Sequence, residues 1–93
     1  MNRKDAIHSL VNLIAYEVYE FIKANENEYK DRWVPAIYIK DSLGLNLNAV
    51  PNANEQQGAT GWLFGIVARI LEDDKLVEYN NTGNRAFYRS KKT

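Results

Sequence analysis

The sequence has no cysteine, and that absence removes disulfides, thiolate nucleophiles, iron–sulfur clusters and cysteine-ligated zinc together. Histidine occurs once, at His8, so no second imidazole is present to share a metal with it. Ser9, Ser42 and Ser90 have no triad partner that the sequence supplies. No apolar run approaches the roughly 20 residues of a membrane span, so a membrane is not an expected partner. Net charge is missing too: 12 Lys and Arg cancel 12 Asp and Glu, which excludes a uniformly basic nucleic-acid coat. The 93 residues, 45% apolar and 26% charged, make one small globular domain with room for a single core. Little is left for a deep catalytic cleft. The expectation is a chain that is not an enzyme and needs no cofactor or metal.

The start, MNRKDAIHSLVNLIAYEVYEF, is interrupted by Asp5, His8, Asn12, Glu17 and Glu20 and is followed by no small-residue cleavage site. It is read as a mature cytoplasmic start rather than a signal peptide. From about residue 4 to 24, Ile7, Leu10, Val11, Ile14, Val18, Phe21 and Ile22 recur at helical spacing within an arc of about 120°, which predicts a first helix laid on a core by that face. Leu13 and Tyr16 fall outside the arc, as harmless exposed area or as a second interface.

The polar stretch NENEYKDR ends this helix, and Trp33 and Val34 precede Pro35. Proline forces an extended residue before it and suits the first helical turn, so a short strand should lead into a second helix, about 35–43, stopped by Gly44. The consecutive β-prone Ile37, Tyr38 and Ile39 leave a strand as the alternative. Residues 46–58, rich in Asn with Pro51 and Gly58, read as a loop. Helical spacing returns over about 59–74, with Leu63, Ile66, Val67, Ile70 and Leu71 on one face. Two alternating segments around NNTGN then predict a hairpin over 76–89. The acidic run Glu72, Asp73 and Asp74 is a solvated turn rather than a metal site. Gly58, Gly61 and Gly65 lack the strand–loop–Lys context of a phosphate loop.

The order helix, short strand, helix, helix, hairpin, carried by WVPAIYIKDSLGL and GWLFGIVARILEDDKLVEYNNTGNRAFYRS, resembles the winged helix-turn-helix superfamily. The resemblance implies one domain over residues 1–93, of α+β class and mostly helical, with three helices, a short strand and a two-stranded wing. It also implies double-stranded DNA as partner, with helix 3 in the major groove and the wing on the backbone, and a role as a transcriptional or mobile-element regulator.

Within that reading, Arg85, Arg89, Lys91 and Lys92 are candidates for phosphates, and Asn81 and Asn84 for neutral donors to the same oxygens. Gln56, Gln57 and Thr60, at the N-terminal end of helix 3, are candidates for base edges, and Arg69 for support from the helix flank. The competing reading of the wing is a charged edge hairpin guarded against aggregation. Arg69 could equally stack over Trp62, and the loop before helix 3 is longer than the usual three or four residues. The ridge Gly61, Gly65 and Ala68, with Leu13 and Tyr16, suits a homodimer or a protein partner; the alternative is tight packing inside the monomer. The neutral total also divides unevenly. Residues 1–79 hold 8 basic and 12 acidic groups, or −4, and residues 80–93 hold 4 basic and none acidic, or +4. Any nucleic-acid contact is thereby confined to the wing and tail.

Overall fold

The computed structural model describes residues 2–46 and 62–91. Helix α1 (Arg3–Asn25) is followed by two short 3-10 turns, Glu26–Glu28 and Lys30–Arg32. Strand β1 (Val34–Pro35), helix α2 (Ala36–Ser42), helix α3 (Trp62–Asp73) and strands β2 (Val77–Thr82) and β3 (Arg85–Ser90) complete the described chain. The three strands form one antiparallel sheet in the order β1-β3-β2. The fold is α+β and mostly helical, with three helices and a three-stranded antiparallel sheet among the described residues.

Local chemistry sets the boundaries. Asn2 caps α1: its side-chain oxygen accepts from the Asp5 amide at 2.8 Å, satisfying one of the donors a helix start leaves open. Pro35 has a φ of −63° and an extended ψ, ending β1 and capping α2. At the other end Gly44 adopts a φ of +67°, and the Leu45 amide reaches back to the Lys40 carbonyl at 2.8 Å. Helix α3 ends in the same way, with Leu76 N–H on the Leu71 carbonyl (2.9 Å) and Lys75 N–H on the Glu72 carbonyl (3.0 Å). That is a Schellman pattern, with Lys75 at a φ of +61° where glycine is usual.

The hairpin turn is tighter than the sequence predicts. Thr82 pairs with Arg85, so only Gly83 and Asn84 connect the strands, and Gly83 alone of the two has positive φ (+65°), the sign pattern of a type II′ turn. Asn80 to Thr82, expected in the turn, instead extend β2.

Helices α1 and α3 and the inner sheet face enclose the core. Ala15, Val18 and Ile22 come from α1, Val34 from β1, Ile39 from α2, Phe64, Val67, Ala68 and Leu71 from α3, and Val77 and Tyr88 from the sheet. Phe64 meets Tyr88 edge-on, ring centres 5.5 Å apart, a favoured aromatic geometry.

Three features depart from the pattern of the sequence. Ile7 and Leu10, expected in the core, are exposed: the buried residues of α1 begin at Ala15, with half-buried Ile14 packed against the core just before it. Ile66 is also exposed. Ala68, expected on an open ridge, is only 3% exposed. Helix α3 buries the face 64, 67, 68, 71, turned by roughly 80° from the face its aliphatic residues mark. The reason is tertiary: α3 must meet α1 and the sheet at once, and the small Ala68 permits that close approach where a branched side chain would not. The 46–58 loop, beyond Asn46, and the first turn expected of helix 3 (residues 59–61) lie outside the described residues.

Candidate functional site

The pleat divides the hairpin's side chains between two faces. Val77, Tyr88 and Ser90 turn towards the helices. Register then puts Glu78 opposite Arg89, Asn80 opposite Phe87 and Thr82 opposite Arg85 on the outer face, where Pro35 lies beside Phe87.

The two arginines of β3 are four residues apart on this face and differ in chemistry. Arg89 Nε donates to Glu78 Oε1 at 2.8 Å, its Nη1 donates to the Asp31 carbonyl at 2.9 Å, and its guanidinium lies 4.1 Å from the Trp33 ring centre. An ion pair, a backbone acceptor and an aromatic face all hold it in place. Expected on phosphate, Arg89 is instead committed to joining the hairpin to the turn before β1. Arg85, beside the two-residue turn, is exposed and has no ion-pair partner among the described residues.

A groove of about 520 Å³ runs between the hairpin and α2, lined by Pro35, Ile37, Lys40, Asn84, Arg85 and Phe87 among others. Lys40, like Arg85, has no ion pair among the described residues. The groove therefore has an apolar floor and two cations without ion pairs among the described residues. Asn84 is exposed at its hairpin end, Asn81 is exposed on the other face of the hairpin, and Lys91, also exposed, anchors its own amide to the Leu76 carbonyl at 2.9 Å. Lys40 was not marked by any sequence pattern, since only the β1–α2 junction brings it to the hairpin.

The remaining expected residues are dispersed. Arg69 is exposed on α3 and pairs with Asp73 one turn along at 3.3 Å, an exchange that leaves this helix face electrically neutral. Gly65 is exposed, and open space surrounds the position a Cβ would take. Ala68 is a core residue and offers no surface to a partner. Leu13 and Tyr16 are exposed on α1, as expected. Gln56, Gln57, Thr60, Gly61 and Lys92 lie outside the described residues.

Behind the hairpin lies a polar cluster that the sequence did not signal. Glu26, in the stretch read as a polar linker, is buried. Its Oε1 accepts from the Ser90 amide at 2.8 Å and its Oε2 from the Ser90 hydroxyl at 2.6 Å, while Arg32 Nη1 lies 3.2 Å from Oε1 and donates to the Ser90 carbonyl at 3.1 Å. The last residue of β3 is thereby fastened to the end of α1. Asp31 and Arg32 adopt φ of +54° and +65°, left-handed backbone that aims the Arg32 guanidinium at the cluster and the Asp31 carbonyl at Arg89. On the inner face, burial pushes the Tyr88 phenol up to about 12, with the Glu72 carboxylate adding to the shift.

Among the described residues, no three Asp, Glu or His side chains converge where they could hold a metal ion, and no helix is long and apolar enough to cross a membrane. No family model, curated protein or solved structure matches the chain.

Proposed function

We propose that the chain is a winged helix-turn-helix protein that binds duplex DNA, with the β2–β3 hairpin as its wing, and serves as a transcriptional or mobile-element regulator. The order α1-β1-α2-α3-β2-β3 with β1 paired to β3 supports the fold reading. The observation that carries the function is that Arg85 and Lys40, neither ion-paired among the described residues, line one groove beside the exposed amide of Asn84, with Asn81 exposed on the other face of the hairpin. Phosphate oxygens suit that combination. A guanidinium and an ammonium supply charge, and the neutral amides supply donors without adding charge that salt would screen. Residues 80–93 contain no acid to repel the backbone.

Helix α3 contributes little base recognition over its described length. Its exposed side presents Trp62, Gly65, Ile66 and the Arg69–Asp73 pair, none of which is a free bidentate donor to a base edge. Binding by backbone contact, weak and tolerant of sequence, is what this surface supports.

The test is the salt dependence of binding to random duplex DNA. With Arg85, Lys91 and Lys40 on phosphates, and Lys92 as a fourth, log affinity falls with log salt at a slope of about −3 to −4. Arg85→Ala reduces the slope by about one, whereas Arg89→Ala, which removes a cation held inside the fold, lowers stability and leaves the slope of the folded protein intact. Absence of binding at low salt refutes the proposal, as does a slope that responds equally to both substitutions.

A further inference from the structure

In the first half of α1 the apolar residues before Ile14 stay outside the core, and Ile14, half-buried, packs against its edge. Ile7, Leu10 and Leu13 are 58%, 60% and 61% exposed, and the first buried side chain is Ala15. Helix α3 lies along one flank, where Ile66 and Ile70 meet Ile7 and Val11 across a groove. The flank through Leu10 faces away from it. An exposed half-helix of about twelve residues is marginal by its own hydrogen bonds, so an apolar flank of this length calls for a cover.

The sequence of that flank indicates which cover fits. Arg3, Ile7, Leu10, Ile14 and Glu17 follow one another at spacings of four, three, four and three residues, a heptad seam within an arc of about 80°. The seam carries a cation at one end and an anion at the other, equally far from Leu10. Arg3 and Glu17 are both exposed and neither has an ion-pair partner among the described residues. The charged ends, seven residues to either side of Leu10, are complementary to their own reverse.

We infer that the occupant is a second copy of this chain, its α1 packed antiparallel on the first about a two-fold axis at Leu10. Positions equidistant from Leu10 then face each other across the axis. Leu10 meets Leu10 of the second copy, Ile7 meets its Leu13, Ala6 meets its Ile14, and Arg3 meets its Glu17. Each contact occurs twice, as a closed two-fold interface requires. A parallel arrangement would set Arg3 beside Arg3 and Glu17 beside Glu17, and like-charge repulsion disfavours it. The interface does not involve the hairpin or α2, so this inference stands apart from the proposed DNA contacts.

The absence of cysteine makes the test direct. Sedimentation of the intact chain across roughly 1 µM to 1 mM is expected to show a reversible dimer. Leu10→Asp, which sets two carboxylates against each other on the axis, weakens it at least about 100-fold. Arg3→Glu and Glu17→Arg each weaken it by about 3- to 10-fold, and the double variant restores it. Leu10→Cys cross-links to a covalent dimer on mild oxidation. Ser9→Cys, exposed but 100° round the helix, does not. A monomer over the whole range overturns the inference. So does a dimer indifferent to Leu10→Asp, or equal cross-linking by Leu10→Cys and Ser9→Cys.

Discussion

Replacing Glu26 with alanine removes one carboxylate and strands three groups. The Ser90 amide and hydroxyl lose their acceptors, and Arg32 loses the anion 3.2 Å from its guanidinium. The site is dry enough for this to count: the Glu26 and Arg32 side chains are 9% and 19% exposed, well below the level at which solvent screening makes an ion pair nearly neutral in energy. Breaking a buried pair by removing one partner costs about 3–5 kcal/mol, because the remaining charge stays uncompensated. Arg32 keeps the Ser90 carbonyl at 3.1 Å, which favours the lower end, about 3 kcal/mol. A domain of this size has on the order of 5–15 kcal/mol of stability, so the loss is a large fraction of the total. At about 4–8 °C per kcal/mol, the melting temperature falls by about 12–24 °C. Urea denaturation followed by circular dichroism measures the change directly, with the midpoint falling and the slope preserved. Glu26→Gln retains an oxygen for the Ser90 amide and an amide that can donate to the hydroxyl, losing only the charge, and costs about half as much. If Glu26→Ala costs less than about 1 kcal/mol at unchanged slope, the carboxylate is solvated and the reasoning from its burial fails.

Two further outcomes follow from the geometry. Lys75→Gly replaces a side chain held at a φ of +61° in the Schellman turn after α3, and is expected to stabilise the fold by about 1 kcal/mol in the same urea assay; a destabilisation would show that the lysine side chain contributes more there than its strained backbone costs. The Tyr88 phenol, raised to about 12, is kept neutral in the fold while an unfolded tyrosine ionises near 10. Its contribution is therefore intact below pH 10 and is lost as pH rises from 10 to 12, an alkaline loss of about 2–3 kcal/mol that Tyr88→Phe abolishes; stability that falls equally in both proteins over that range refutes it.

The two surfaces proposed for recognition lie at different sites. The hairpin turn and the last turn of α2 present cations without ion pairs among the described residues, together with exposed amides, whereas the outer flank of α1 presents aliphatic side chains with one charge at each end. Backbone contacts by a single hairpin are few. A dimer through α1 supplies a second hairpin without drawing on either surface twice, and linked contacts strengthen binding by raising the local concentration of the second site.

Much of the architecture was legible in the residues themselves, because it depends on local rules. The 3.6-residue spacing marked α1 and α3, Pro35 and Gly44 bracketed α2, and the turn residues around Gly83 marked the hairpin. Burial was less legible. Ile7, Leu10 and Ile66 share the spacing of true core positions, yet the buried positions of α1 begin only at Ala15 and α3 is turned towards Ala68, so these residues remain in solvent. The candidate site divides in the same way. That positive charge gathers at residues 80–93 is a property of the sequence alone. That Arg85 has no ion pair among the described residues while Arg89 is bound to Glu78, Asp31 and Trp33, that Lys40 lines the same groove as Arg85, and that Glu26 is an anchor for β3 required the fold. Glu26 and Ser90 are 64 positions apart. Local periodicity records which way a side chain points from its own helix or strand, but a buried ion pair depends on what another element places opposite it, and only tertiary packing decides that.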